Sequence, residues 1–78
     1  MYVYFIRSLQ HPNEIYIGVS EDVKRRIDEH NAGRSPHTSK FAPWELRWYC
    51  WFFDRQKAYE FERWLKTGSG RAFRSRHF

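Results

Sequence analysis

Tyr2-Val3-Tyr4-Phe5-Ile6 and Glu14-Ile15-Tyr16-Ile17-Gly18-Val19 are two runs of β-branched and aromatic residues separated by Gln10-His11-Pro12-Asn13. Side chains of this kind fit a pleated, half-buried surface, and Pro-Asn is turn chemistry, so the stretch predicts an antiparallel hairpin. Alternation along a strand places Tyr2, Tyr4 and Ile6 on one face of the first strand. It places Tyr16 with Gly18 on one face of the second.

Working outward, Ser20 is the expected N-cap of a helix, with Glu21 and Asp22 in the first turn where the helix dipole favours negative charge. The helix runs to about Asn31, and Gly33 is its stop signal. Residues Arg34 to Pro43 hold Ser, Thr, Lys and two prolines and are expected to form a loop. Trp44 to Phe53 is a bulky aromatic third strand. Asp54 caps a second helix through Lys66, which Thr67-Gly68-Ser69-Gly70 ends, and Arg71 to Phe78 forms one short basic helix. The expected fold is α+β: a three-stranded antiparallel sheet flanked by helices, in the order β-β-α-β-α with a short C-terminal helix, as one domain over residues 1–78.

A chain of 78 residues buries only roughly 60% of the surface that it exposes when unfolded, so its core has to be dense in large side chains. Aromatics make up 21% of it, with four Trp, five Tyr and seven Phe. The net charge is +5, and Arg supplies ten of the fourteen basic residues. A planar guanidinium matches phosphate oxygens, which makes a polyanion a fair partner; a solvated basic surface explains the charge equally well. Cys50 is the one cysteine, so no intramolecular disulfide and no Cys-based zinc set exists, and a reducing cytoplasm is the expected compartment. No apolar run of about 18 residues and no signal-peptide pattern is present.

Helix phase singles out the polar residues that sit where apolar ones belong. In the first helix Val23 and Ile27 mark the buried stripe; His30 projects near Val23, Arg26 lies on the flank, and Arg25 points to solvent. In the second helix Ala58, Phe61 and Leu65 define the apolar face, and Glu62 falls within it while Glu60 points away. Burying an unpaired carboxylate is expensive, so Glu62 wants an Arg or a metal. A salt bridge to Arg26 is the simple alternative for Glu62, a snorkelling stem for Arg26, and one backbone hydrogen bond for His30. A tyrosine pair, an Arg, a His and a Glu converging over one sheet face would suit phosphoryl chemistry.

At this point the residues resemble the GIY-YIG nuclease superfamily, in particular its small single-domain bacterial members, related to the nuclease part of excision-repair incision subunits. The first signature reads Tyr2-Val3-Tyr4, without the leading glycine, and the second, Tyr16-Ile17-Gly18, is intact. Arg26 follows Gly18 by eight residues, His30-Asn31 matches a His-Asn pair after the helix, and Ala58, Glu62 and Lys66 match the helix carrying the family glutamate. Pro43-Trp44 with Leu46 fits the entry to the third strand, and Gly68-Ser69-Gly70-Arg71 looks like a glycine-arginine turn of the small members. Many members carry a late Asn, and none follows Asn31 here.

The resemblance implies a metal-dependent endonuclease acting on DNA. It implies that Glu62 binds one Mg²⁺ or Mn²⁺, that Arg26 clamps the scissile phosphate, and that Tyr4 and Tyr16 position and help activate the attacking water. Tyr4 is the preferred general base; a free tyrosine has a pKa of about 10, so it needs help from the cation or from Arg26. His30 supports the tyrosines or shares the proton transfer. Gly18 admits a phosphate or water beside Tyr16. Arg34, Lys40, Lys66, Arg71 and Arg74, with Arg76, are candidates for backbone-phosphate contacts. RNA stays open as a substrate, as do a binding module without catalysis and a subunit whose specificity comes from a protein partner.

Overall fold

The computed structural model describes residues 1–77. Strand β1 (Tyr2–Ser8) pairs on one side with β2 (Ile15–Ser20) and on the other with β3 (Trp44–Trp51), both antiparallel, so the sheet order is β2-β1-β3. Helix α1 (Val23–Asn31) joins β2 to β3 through a loop and a short 3-10 turn at Ser39–Phe41, while α2 (Arg55–Leu65) and α3 (Gly68–His77) follow β3. The expected element order holds.

As the middle strand, β1 is covered on both faces, and Val3, Tyr4, Phe5 and Ile6 are all buried. Its alternation sorts the core into two layers. Tyr4 and Ile6 pack with Trp44, Tyr16, Leu46 and the α1 residues Val23 and Ile27. Val3 and Phe5 pack with Ile17, Ala58, Leu65, Phe61 and Phe73, under α2 and α3. Helices α1 and α2 therefore lie on opposite sides of the sheet. A register shift between Phe5 and Ile6 leaves Arg47 between Leu46, paired with Ile6, and Trp48, paired with Phe5.

Several boundaries differ from expectation, each for a local reason. Asp22, and not Ser20, caps α1: its carboxylate accepts from Arg25 N at 3.0 Å, while Ser20 Oγ accepts from Asp22 N in the bend just before it. Glu21 and Asp22 thus precede the first turn instead of occupying it. Strand β1 continues to Ser8, whose Oγ donates to Phe41 O at 2.7 Å and so can be buried, a long-range bond that no propensity anticipates. Strand β3 ends at Trp51, two residues before Phe53. Asp54 does cap α2, accepting from Gln56 N and Lys57 N, and Gly33 takes a positive φ of 75° after α1. The Gly68-Ser69-Gly70 segment, expected to end α2 as a turn, instead opens α3. Thr67 makes this work: its carbonyl accepts from Arg71 N and its hydroxyl from Gly70 N. The expected basic tail helix therefore starts three residues early; its last expected residue, Phe78, lies outside the described residues.

Candidate active site

Three elements bring the tyrosines and the histidine together. Tyr4 stands in the middle of β1, directly opposite Gly18 of β2, and Tyr16 lies two residues before Gly18 on the same face. His30 comes down from the last turn of α1. The Tyr4 hydroxyl and His30 Nε2 are 2.9 Å apart, and the Tyr16 ring centroid is 4.9 Å from that of His30 and 6.2 Å from that of Tyr4. Tyr4 and His30 are fully buried, with 1% and 0% of their surface exposed.

Gly18 makes room for this arrangement, and the Tyr4 ring, not a free channel, fills the space its missing side chain leaves. A Cβ at this position would stand 2.5 Å from the Tyr4 hydroxyl oxygen and 2.9 Å from Tyr16 Cε1. The Tyr4 ring is packed and hydrogen-bonded, so it cannot swing aside at little cost. Gly18→Ala is expected to displace Tyr4 from His30 and to destabilise the fold by about 1–3 kcal/mol, the usual cost of overpacking. A melting curve and a nuclease assay on this variant check it; unchanged values for both would show that the tyrosine has room to move.

The electrostatics of the cluster are set by burial. Burial pushes the Tyr4 phenol up to about 12, Tyr16 adds to the rise, and Arg26 and Glu29 act in opposite directions, Arg26 pulling it down. The His30 imidazole is lowered, first by burial and then by the Arg26 guanidinium, against a smaller opposing pull from Glu29. His30 is therefore neutral near pH 7. Arg26 is raised: burial disfavours the cation, but Tyr4 and Glu29 together outweigh it, and its Nη1 donates to Glu29 Oε2 at 2.9 Å.

The His30 shift has a sign that can be measured. Its folded pKa lies below the unfolded value of 6.5, so on acidification the unfolded chain takes up the proton first. This contribution to stability is complete above the unfolded pKa and is lost as pH falls through the window beneath it. The melting temperature should fall as the pH drops below 6.5, with a shallower slope in His30→Gln. Equal slopes in the two proteins would contradict a buried, neutral His30.

Glu62 occupies a different layer. It sits on α2, whose residues Ala58, Phe61 and Leu65 pack on the face of the sheet opposite Tyr4 and α1. Convergence of all five residues over one sheet face, the expectation from helix phase, is thus corrected: Tyr4, Tyr16, His30 and Arg26 share a face and Glu62 does not. Nor does Glu62 pair with Arg26. Its Oε2 accepts from Lys66 Nζ at 2.6 Å, one turn along the same helix, and its side chain is 16% exposed. His30, too, is held by side chains and not by the single backbone bond that was the simple alternative.

The two layers meet at β2, which is an edge strand. A cleft of about 170 Å³ at this edge is lined by Ile15, Tyr16, Ile17, Lys66, Arg71 and Arg74, so residues from the α2–α3 layer flank Tyr16. Arg74 is also structural: its Nε donates to Leu65 O at 3.0 Å and its guanidinium lies 5.9 Å over the Phe5 ring. Burial and the neighbouring Arg71 lower its pKa. Arg34 and Lys40 are exposed in and after the loop that follows α1, away from this cleft's lining.

Two residues to which the sequence reading gave no role of their own hold the site together. Thr38, fully buried in the loop, places Oγ1 2.7 Å from His30 Nδ1, and its carbonyl accepts from Trp44 Nε1 at 2.9 Å. Asn31, matched above as half of the His30-Asn31 pair, brackets the start of β3. Its Oδ1 accepts from Trp44 N and its Nδ2 donates to Trp44 O. A Thr in a loop carries no periodicity, so nothing local could have flagged it.

The chain is a basic α+β domain with a buried tyrosine–histidine pair packed over Gly18 and a cationic edge. The chain matches the GIY-YIG catalytic domain family over residues 1–75, and it belongs to that family. It is also similar to a UPF0213 protein of Vibrio campbellii, at 35% identity over 65 residues, which covers 82% of this chain and 61% of that protein. The match thus spans less than two thirds of the relative's length. No solved structure matches the chain significantly. Among the described residues, no helix is long and apolar enough to cross a membrane.

Proposed function

We propose that the chain is a metal-dependent endonuclease that hydrolyses phosphodiester bonds in DNA. The observation that supports this best is the buried Tyr4–His30 pair lying beneath Gly18, with Arg26 at the Tyr4 hydroxyl. A phosphate brought to this cluster meets Arg26, a donor-only cation suited to the charge that develops on phosphorus oxygens. Tyr4 and Tyr16 orient the attacking water. With its pKa near 12, Tyr4 stays protonated at neutral pH. It therefore serves as a base by taking the water proton while passing its own to the neutral His30.

Glu62 is the candidate metal ligand. One carboxylate can hold Mg²⁺ or Mn²⁺, with waters and substrate oxygens completing the shell. Glu62 fits: Lys66 holds Oε2, and Oε1 has no hydrogen-bond or ion-pair partner among the described residues. When bound, the cation would stabilise the leaving oxyanion. Lys66, Arg71 and Arg74 at the β2 edge, with Arg34 and Lys40 further away, would neutralise backbone phosphates without reading sequence.

The test is to incubate the purified chain with linear, flap and branched DNA, and with matched RNA, plus Mg²⁺ or Mn²⁺, beside a Glu62→Ala control. Metal-dependent cleavage of DNA that the control lacks is expected, with binding that weakens steeply as salt rises. No cleavage of any substrate, with binding retained, would overturn the proposal in favour of a binding module. A subunit that relies on a protein partner for specificity is the second reading. It is favoured by the exposed aromatic edge of Tyr49, Trp51 and Phe53, since apolar patches of this kind mark interaction surfaces.

A further inference from the structure

We infer that His30 is protonated on Nδ1, with Nε2 bare to receive the Tyr4 proton, and that Thr38 is a positioning residue that holds the ring by accepting from Nδ1–H. The inference rests on the nuclease reading for its purpose, but its geometry stands on its own. Three buried side chains form a line: Tyr4 oxygen to His30 Nε2 at 2.9 Å, and His30 Nδ1 to Thr38 Oγ1 at 2.7 Å. Tyr4, His30 and Thr38 are each at most 1% exposed, so in the free fold bulk solvent does not complete their hydrogen bonding, and the attacking water arrives with the substrate.

A neutral imidazole has one donor nitrogen and one acceptor nitrogen, and only two arrangements satisfy it here. In the first, the Tyr4 hydroxyl donates to Nε2 and Nδ1–H donates to Thr38 Oγ1. In the second, Thr38 donates to Nδ1 and Nε2–H donates to the Tyr4 oxygen. The second leaves the phenol proton without an acceptor among the described residues; the first leaves the aliphatic hydroxyl proton so. A phenol is much the stronger acid and donor, and burying a strong donor unpaired is the costlier choice. Arg26 decides in the same direction. Its guanidinium acts electrostatically on the Tyr4 oxygen and can only donate, so it does not compete with Nε2 for the phenol's proton.

Thr38 also departs from what its position would ordinarily ask of it. It stands at the N-cap of the Ser39–Phe41 turn, where a threonine hydroxyl normally accepts from the backbone, yet it makes no capping bond. Its hydroxyl is given to His30 instead. The backbone holds it there: Thr38 N donates to Ser35 O, and Thr38 O accepts from both Phe41 N and Trp44 Nε1. The charged groups around the ring are Arg26 and Glu29, both on α1.

The tautomer can be read directly, without any cleavage. Long-range proton–nitrogen correlation spectra of the ¹⁵N-labelled chain report which ring nitrogen carries hydrogen, and His30→Gln identifies the His30 signals. The wild-type chain is expected to show Nδ1 protonated and Nε2 bare. Thr38→Val should remove the hydrogen bond of Nδ1–H, so that its proton signal moves upfield and exchanges faster, Thr38→Ser should keep it, and cleavage should fall by roughly 10–100-fold in the valine variant only, the usual cost of removing a partner that orients a histidine. Nε2 protonated in the wild type, or an Nδ1–H signal unchanged in Thr38→Val, overturns the inference. Because the wild-type spectrum answers by itself, a valine variant that fails to fold does not protect the idea. A wild-type chain that shows the expected tautomer but cuts nothing would sink the nuclease reading and leave the lock standing.

Discussion

Glu62→Gln should lower metal-dependent cleavage by roughly 10³-fold, because losing several kcal/mol of cation-borne charge stabilisation corresponds to that factor in rate. The same change should leave the fold nearly untouched. Glu62's partner is Lys66, one helical turn away and half exposed, and such pairs contribute only about 0.3–0.5 kcal/mol. Glutamine keeps the shape of the side chain and its reach to solvent. The expected result is therefore a split: a melting temperature close to wild type and a cleavage rate near background. Cleavage within a few fold of wild type would remove Glu62 from the metal site. A large drop in melting temperature would instead mean that the carboxylate stabilises the α2 layer.

Gly70→Ala is expected to have the largest effect on the fold. Gly70 opens α3 against the end of α2, and a Cβ there would run into the Trp64 carbonyl oxygen and stand 2.5 Å from Leu65 Cα. These are backbone atoms, so no rotamer change relieves the contact. Leu65 is itself fully buried and anchors α2 in the core. The helices must separate, which costs about 3 kcal/mol at the upper end of overpacking penalties. In a domain of this size that corresponds to a fall of roughly 12–24 °C in melting temperature. Movement of Arg74, whose Nε holds the Leu65 carbonyl, would also disturb the cationic edge beside Tyr16. A shift of only a degree or two in a thermal melt would show that the α2–α3 junction yields freely.

The architecture was largely legible before any coordinates. The two β-rich runs with a Pro-Asn turn, the strand beginning at Trp44, and Asp54 as a cap all carry their information within a few residues, and the hairpin, β3 and the start of α2 formed accordingly. The misplaced α1 cap shows the limit of local reasoning. Ser20 and Asp22 are both good caps, and the choice fell to the one whose carboxylate reached Arg25 N. The Gly68-Ser69-Gly70 segment read as a breaker because glycine lowers helix propensity. It became helix because Thr67 accepts from Arg71 N and Gly70 N, and at Gly70 the α2–α3 contact leaves no space for a side chain.

For the candidate site, helix phase alone picked Arg26 over Arg25 and Glu62 over Glu60, since the position of a residue around a helix is a property of spacing. The sequence by itself thus determined the element order, Tyr4 on one face of the first strand and Tyr16 with Gly18 on one face of the second, and which polar residues turn inward. Only the tertiary structure decided how these parts stand to one another. It put α1 and α2 on opposite faces of the sheet, so that Glu62 and the Tyr4–His30 pair are separated by the edge strand β2 and do not converge over one face. It also brought Thr38 to His30 from a loop with no periodic signal. The reason is physical: periodicity records which side of an element faces the core, whereas the layer it packs in, and the loop atom that fills a buried hydrogen bond, depend on contacts between residues far apart in the chain.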